Sequence, residues 1–591
     1  MITERAVKCK QRPIDSKRLT QARLQGLPEW IAAIVAARPL VFRPEGQLGI
    51  QVPLAELPAP SQLPDCEKGT QRLLQALQNQ EVIALETDHD CDGQTSHAVL
   101  WHALVNGFGH PVDKTLSFIG ERLTEGYGLS DKLVDRILAH PVRPTLVITA
   151  DNGSSDELRI ARLVAEGIDV IVTDHHEIAV TGVPKSAIAV INPIRPDSLY
   201  PDQTIAGCMV AWLWMAAVKQ ALQAAGRVIA FNLAELLDFV AVGTVADCVS
   251  MARSGVNRAV VRYGMQKIAQ GTRPCWRVLK PHLHTPLQSE DLGFLIGPLL
   301  NSDGRLATAM KSVSFLLSET DTEAQSWLEY LQTQNQSRKA IQKEMTQLGM
   351  AQAEQLLTQY TYTLCPFLEE GHSGVHGICA SRLKDHYGMP VIYLAPKREN
   401  PAILTGSARS IEDFHMKEAL EAVAAQDPTL LLSYGGHQGA AGLSLYRERL
   451  EDFRQAFEAY ASVHIPLANL GPCHWHDGAV PIGLDLPQWE KMVQTLEPFG
   501  REFEVPSFYC YGQVRQLYTL GSSGLHARIC LQTQNGPLWC LWFYKPPLQV
   551  GDVVEGILRV QVDTYQNEKK LAFILNWGRL CTEMHPRTML A

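Results

Sequence analysis

Short apolar runs that end on acidic residues dominate the first half of the chain. Val82-Ile83-Ala84-Leu85 leads to Asp88, Asp90 and Asp92, and Leu146-Val147-Ile148-Thr149 leads to Asp151. Val170-Ile171-Val172-Thr173 leads to Asp174, His175 and His176, and the run from Phe239 to Ala246 leads to Asp247. Short β-branched runs separated by helical stretches predict βαβ units of a parallel sheet. In such sheets functional groups gather beyond the carboxyl ends of the strands. Carboxylates and imidazoles from four strand ends therefore converge, and so much negative charge is tolerable only where cations neutralise it. The pattern predicts a cluster of divalent metal ions.

The rest of the chain reads as further domains. Residues 1–45 carry a basic lead (Lys8, Lys10, Arg12, Lys17, Arg18, Arg23) and an amphipathic stretch around Trp30 to Ala37, expected as a helical collar on the first domain, a flexible nucleic-acid-contacting arm being the alternative. The α/β domain spans 46–315. A long polar helix follows over 316–359, opened by the capping pair Thr320 and Glu323, with an apolar stripe at Trp327, Leu328, Leu331, Ile341, Met345 and Leu348. A smaller α/β unit over 360–462 contains Val391-Ile392-Tyr393-Leu394 and the glycine-rich Tyr434 to Gly439. From 463 to 591 the texture is strands. Ala527, Ile529 and Leu531 alternate with polar positions, and Asn535-Gly536 supplies a hairpin turn, which suggests a small OB-like barrel of the kind that binds single strands.

Size and charge narrow the class. A chain of 591 residues suits three or four globular domains. The net charge of -9 argues against a uniformly basic coat for nucleic acid but leaves room for a local basic groove. Thirteen scattered cysteines without a C-x-x-C pair suit a reducing compartment. With no apolar run of membrane-spanning length and no secretory layout at the start, the expectation is a cytoplasmic protein without a membrane segment.

Asp88-His89-Asp90-Cys91-Asp92-Gly93 places carboxylates at every second residue, and the closing glutamate of a calcium loop is absent. Together with Asp151-Asn152-Gly153 and Asp174-His175-His176 it resembles the DHH phosphoesterases, and within them the RecJ family of single-strand-specific exonucleases. Gly126-Tyr127-Gly128-Leu129-Ser130, Gly243-Thr244-Val245-Ala246-Asp247 and Asn301-Ser302-Asp303-Gly304-Arg305-Leu306 carry the same likeness. Ala380 to Lys384 and Gly435-Gly436-His437 resemble the associated DHHA1 domain.

The resemblance implies that Asp88, Asp90, Asp92, Asp151, His175 and Asp247 bind two Mn²⁺ or Mg²⁺ ions, with Asp151 bridging. His176 sits against the scissile phosphate or supports the metal shell, and Asp174 orients a histidine through its second nitrogen. Asp90, Asp151, His175 and His176 are the expected catalytic set. Arg122, Asn301, Arg305, Ser407, Arg409 and His437 are the expected substrate contacts, with the arginines and Ser407 on a terminal 5′ phosphate. Three departures stand out: Glu86 where some relatives have a ligating histidine, Asp303 where a small residue is usual, and Ala408 in place of a glycine. Glu86 is either an oxygen ligand or a bystander. The implied activity is hydrolysis of single-stranded DNA from the 5′ end by a monomer, in DNA repair and recombination, with single-strand-binding protein and a helicase as partners. Two rivals are a phosphodiesterase of short oligonucleotides or cyclic dinucleotides, and a non-catalytic binding scaffold.

Overall fold

The structure, a computed structural model, describes residues 7–122, 124–126, 128–306, 308–521, 524–565 and 568–581. Tyr127 of the expected glycine-rich segment lies outside the described residues. The chain divides into two units, one built from residues 53–250 and 256–472, the other from 7–52, 251–255 and 473 onward. The first strand, β1 (Lys8–Gln11), belongs to the second unit.

The first unit opens with a five-stranded, wholly parallel sheet: β2 (Ile83–Thr87), β3 (Thr115–Ile119), β4 (Leu146–Ala150), β5 (Asp169–Thr173) and β6 (Ala189–Ile191), in the order β3-β2-β4-β5-β6. Every residue of β2 and β4 is buried, which explains why these strands are continuous apolar runs rather than alternating ones. Three of the four expected runs are strands. The fourth is a helix, Leu237–Ala246, with Asp247 as its C-terminal cap residue. Leu237 to Thr244 are all buried, so no periodicity separates this run from a buried strand, and only its environment decides.

The long helix Asp321–Leu356 starts at the Thr320 cap, whose side chain accepts from the Glu323 amide at 3.2 Å. Its 36 residues span about 54 Å. Beyond it, β7 (Val391–Lys397), β8 (Asn400–Arg409), β9 (Ser433–Gly436) and β10 (Ala440–Tyr446) form an antiparallel sheet in the order β7-β8-β10-β9. Along β8, Leu404, Gly406 and Ala408 are buried while Thr405, Ser407 and Arg409 are partly exposed. That period of two decides which side chains reach a ligand. Ala408 is fully buried in the core against Ile392, Leu394 and their neighbours, so its extra methyl group packs there.

In the second unit β1 pairs in parallel with β11 (Cys473–His476). The five strands β12 (Ser507–Leu520), β13 (His526–Thr533), β14 (Gly536–Trp542), β15 (Val553–Tyr565) and β16 (Glu568–Cys581) close into a barrel, β12-β13-β14-β16-β15. The expected hairpin turn joins β13 to β14, with Gly536 at φ +105°. The basic lead, expected as a collar on the first domain, is instead part of this barrel unit. Arg12 and Arg38 both bond to the buried Asp477, at 3.2 and 3.1 Å, and the Ser507 amide donates to the same carboxylate at 3.1 Å. Among the described residues no helix is long and apolar enough to cross a membrane.

Candidate metal centre and substrate cleft

Asp88 follows β2, Asp151 follows β4 and Asp174 follows β5, so neighbouring strands deliver three acids to one edge of the sheet. Asp90 caps the helix Cys91–Trp101, accepting from the amides of Asp92 and Gly93 at 2.9 and 3.3 Å. The buried Asp92 accepts from the Gly207 and Cys208 amides at 2.6 and 3.0 Å, at the start of the helix Gly207–Ala224. A helix N-terminus favours that negative charge. Asp151 lies at φ +65° with its amide bonded to the Thr173 carbonyl at 2.9 Å, a left-handed conformation uncommon for a residue other than glycine.

These acids surround His175. Its Nε2 is 3.1 Å from Asp151 Oδ1, 3.6 Å from Asp247 Oδ2 and 3.8 Å from Asp92 Oδ2. Asp151 Oδ1 and His175 Nε2 are both buried, yet neither has a hydrogen-bond partner, because their mutual geometry is not that of a hydrogen bond. Ligand atoms from Asp92, His175 and Asp247, and from Asp88, Asp90 and Asp151, each lie within 4.8 Å of one another. Orphaned lone pairs turned to a common point, with hard oxygens and one imidazole around them, fit Mn²⁺ or Mg²⁺. Without such ions burial, followed by the charges of Asp92, Asp90 and Asp88, pushes the Asp151 carboxyl well above its usual range.

Asp174 is buried and holds the histidine pair. Its Oδ1 accepts from the amides of His175 and His176 at 2.7 and 3.0 Å and lies 2.8 Å from His176 Nδ1. Burial pushes Asp174 up, but the His176 imidazole and these bonds hold it well below the usual carboxylate range. The histidine oriented by Asp174 is thus His176. Glu86 sits within β2, fully buried, with Oε1 accepting from the side-chain Nδ2 of Asn152 at 3.1 Å. Burial raises its pKa well above the ordinary value, and it belongs to neither carboxylate group around His175.

A cleft of about 2240 Å³ in the first unit is lined by Arg122, Asn301 and Arg305 from the parallel-sheet part and by Ser407, Arg409 and His437 from the antiparallel sheet. It reaches Ala246 and Cys248 on either side of Asp247, although the carboxylates themselves do not line it. Arg305 donates to the Gly374 carbonyl at 2.9 Å, and Asn301 Oδ1 accepts from the Cys91 amide at 2.8 Å, which commits that oxygen to holding the acidic loop. Asp303 is not in the cleft. It is buried, with Tyr330 donating to it at 3.0 Å.

Sequence reasoning missed two glycines. A Cβ at Gly207 would lie 2.6 Å from Asp151 Oδ1, and one at Gly243 would lie 2.3 Å from Thr95 Oγ1 and 2.7 Å from Asp92 Oδ1. Gly243 stands in a quoted motif, but Gly207 opens an ordinary apolar helix and nothing local marks it.

Comparison with curated proteins gives 36% identity over 476 residues, 78% of this chain and 80% of the relative, to the single-stranded-DNA-specific exonuclease RecJ of Dickeya dadantii. The chain belongs to the RecJ family. The RecJ of Escherichia coli is 34% identical over 487 residues, covering 80% of this chain and 82% of that one. The DHH family N-terminal domain matches residues 82–244, the DHHA1 domain 358–463 and the RecJ OB domain 477–576. A crystal structure of RecJ in complex with Mn²⁺ from Thermus thermophilus superposes with a TM-score of 0.78 at 26% identity, covering 97% of this chain and 79% of that one. Its Mg²⁺ counterpart gives 0.71 at 25% identity, with 97% and 78% covered.

Proposed function

We propose that this RecJ-family chain is a metal-dependent exonuclease that removes 5′ mononucleotides from single-stranded DNA, working 5′ to 3′, in DNA repair and recombination. The observation that carries the reading is the buried, unpartnered pair Asp151 Oδ1 and His175 Nε2, ringed by carboxylates beside an arginine-lined cleft. Asp88, Asp90, Asp92, Asp151, His175 and Asp247 would hold two Mn²⁺ or Mg²⁺ ions, Asp151 belonging to two of the groups of ligand atoms. When bound, such ions supply Lewis acidity and lower the pKa of the attacking water.

The chain's own residues do the rest. Asp174 fixes His176 through Nδ1, which leaves Nε2 to meet a phosphate oxygen. Arg122, Arg305, Ser407 and Arg409 hold the terminal 5′ phosphate, the planar guanidinium forks matching its oxygens, and so register the strand by its end. Asn301 steadies the acidic loop and His437 contacts the strand from the glycine-rich turn. The protein acts as a monomer in the cytoplasm, with single-strand-binding protein and a helicase as partners.

The test is digestion of an internally labelled single strand with Mn²⁺, comparing 5′-phosphorylated and blocked ends, with Asp151→Asn as the control for metal-dependent chemistry. Progressive release of mononucleotides from the 5′ end, lost in Asp151→Asn, is expected. Rapid cleavage of dinucleotides with an intact long strand would assign the chain to short-substrate phosphodiesterases. Absence of Mn²⁺ binding and of any cleavage would make it a scaffold.

A further inference from the structure

The long helix Asp321–Leu356 carries a cation in an unusual position. Arg338 is only 7% exposed, yet among the described residues its guanidinium meets no carboxylate. Nε and Nη2 donate to Asn335 Oδ1 at 3.1 and 2.8 Å, and Nη1 donates to Gln342 Oε1 at 2.8 Å. Two neutral amides on the same helix therefore take three of its five N–H groups and leave one on each terminal nitrogen. Burying a charge without a counter-charge is costly, and such groups are normally paired or serve a ligand.

The neighbourhood adds positive charge. Lys339, Lys343 and Arg382 line the same cleft as Arg338, and among the described residues none of the four is within 4.0 Å of a carboxylate. Of the three acids of the cleft wall, Glu369, Glu370 and Glu399, two are taken, Glu369 by Arg447 at 2.6 Å and Glu399 by Lys132 at 3.1 Å, and none of the three lies within 4.0 Å of Arg338. Burial lowers the Arg338 pKa, and the charge of Arg382 lowers it further.

We propose that Arg338 and Arg382, flanked by Lys339 and Lys343, form a second phosphate subsite, one that grips an internal phosphodiester of the single strand away from the bond being cut. The inference rests on the exonuclease reading for its substrate and assigns the long helix a part in recognising strand length. A phosphate oxygen satisfies the two remaining N–H groups of Arg338 and supplies the absent counter-charge. The flanking lysines and Arg382, on exposed positions, meet the same backbone as point charges.

The experiment uses the full chain and two probes, a long oligodeoxythymidylate and a 5′-phosphorylated dinucleotide. Binding of the fluorescently labelled long strand without divalent metal is followed against salt. Each phosphate contact on a single strand contributes about 0.7 to the slope of log K against log salt, so Arg338→Gln and the exposed Arg382→Gln should each lower the slope by about that much. With Mn²⁺, the advantage in kcat/KM of the long strand over the dinucleotide should shrink in both variants. A merely structural role would lower both substrates together and leave their ratio intact.

Retention of the parent slope and length ratio in Arg382→Gln and in Arg338→Gln would overturn the proposal. Because the salt slope is read without turnover, failure of the exonuclease reading would show as absent cleavage beside an intact slope change.

Discussion

Substituting Gly207 by alanine isolates the geometry of the metal centre from its chemistry. The new Cβ would stand 2.6 Å from Asp151 Oδ1, 2.8 Å from its Cβ and 2.9 Å from its Cγ, all closer than side chains tolerate. Asp151 cannot simply withdraw, because its amide is tied to Thr173 and its backbone holds a left-handed conformation. The Gly207 amide, bonded to Asp92 at 2.6 Å, shares any displacement. A single methyl group thus disturbs carboxylates of both candidate metal positions. Overpacking of this kind costs about 1–3 kcal/mol of stability. Misplacing reactive groups on the scale of 1 Å costs about 10²-fold in turnover. The expected result for Gly207→Ala is a folded protein with a modestly lower melting temperature, kcat reduced about 10²-fold at saturating Mn²⁺, and a higher Mn²⁺ concentration for half-activation. Gly255→Ala, where the Cβ would meet Val52 at an ordinary 3.5 Å, is the control. Turnover and Mn²⁺ dependence of Gly207→Ala matching the parent would refute the assignment of Asp151 to the metals.

Arg409→Gln should weaken the preference for 5′-phosphorylated over blocked ends more than it lowers kcat at saturation, as measured by KM on the two ends; equal KM ratios in parent and variant would remove Arg409 from the end-binding set. Asp238→Ala leaves Arg273 and Trp276, which bond to its Oδ2 at 2.5 and 2.7 Å, without their buried acceptor, and should cost about 3–5 kcal/mol in denaturant unfolding. His97 and His102 are buried, and burial lowers their pKa values from 6.5 to about 4 and about 3, the charge of Arg273 adding to the effect at His102. Both are neutral in the fold and take up protons on unfolding, so stability is full above about pH 6.5 and falls as pH drops from there towards about 4 and 3. At pH 5 the two together have lost about 4 kcal/mol, and His102→Gln should remove about half of that decline in a comparison of unfolding at pH 7 and pH 5.

Much of the catalytic half was legible because its information is local. β2, β4 and β5 are buried on both faces and announce themselves as apolar runs, and the acids follow directly in sequence. Phe239 to Ala246 defeated the same reasoning, since a helix buried all round shows no amphipathic period. Asp247 still arrives beside His175, because a helix end delivers a carboxylate as well as a strand end does. The Gly207 contact with Asp151 was out of reach, being a tertiary approach that no spacing encodes. Arg338 was hidden in plain view. It shares the buried side of the long helix with Leu331, Gln342 and Met345, a stripe that reads from its apolar members as packing alone. The basic lead misled for a related reason, since its partners lie at the opposite end of the sequence.

That separation bears on how the protein is made. Arg12 and Asp477 are 465 residues apart, and at synthesis rates of roughly 5–20 residues per second the lead waits on the order of 25–90 s for its partner. Every strand of the parallel and antiparallel sheets emerges before β11, so the nuclease core can assemble on the ribosome while the barrel unit is still incomplete. During that interval β1 is nascent chain without its native partner strand. Removing either β1 or β11 should cripple the same unit, because the two strands pair with each other.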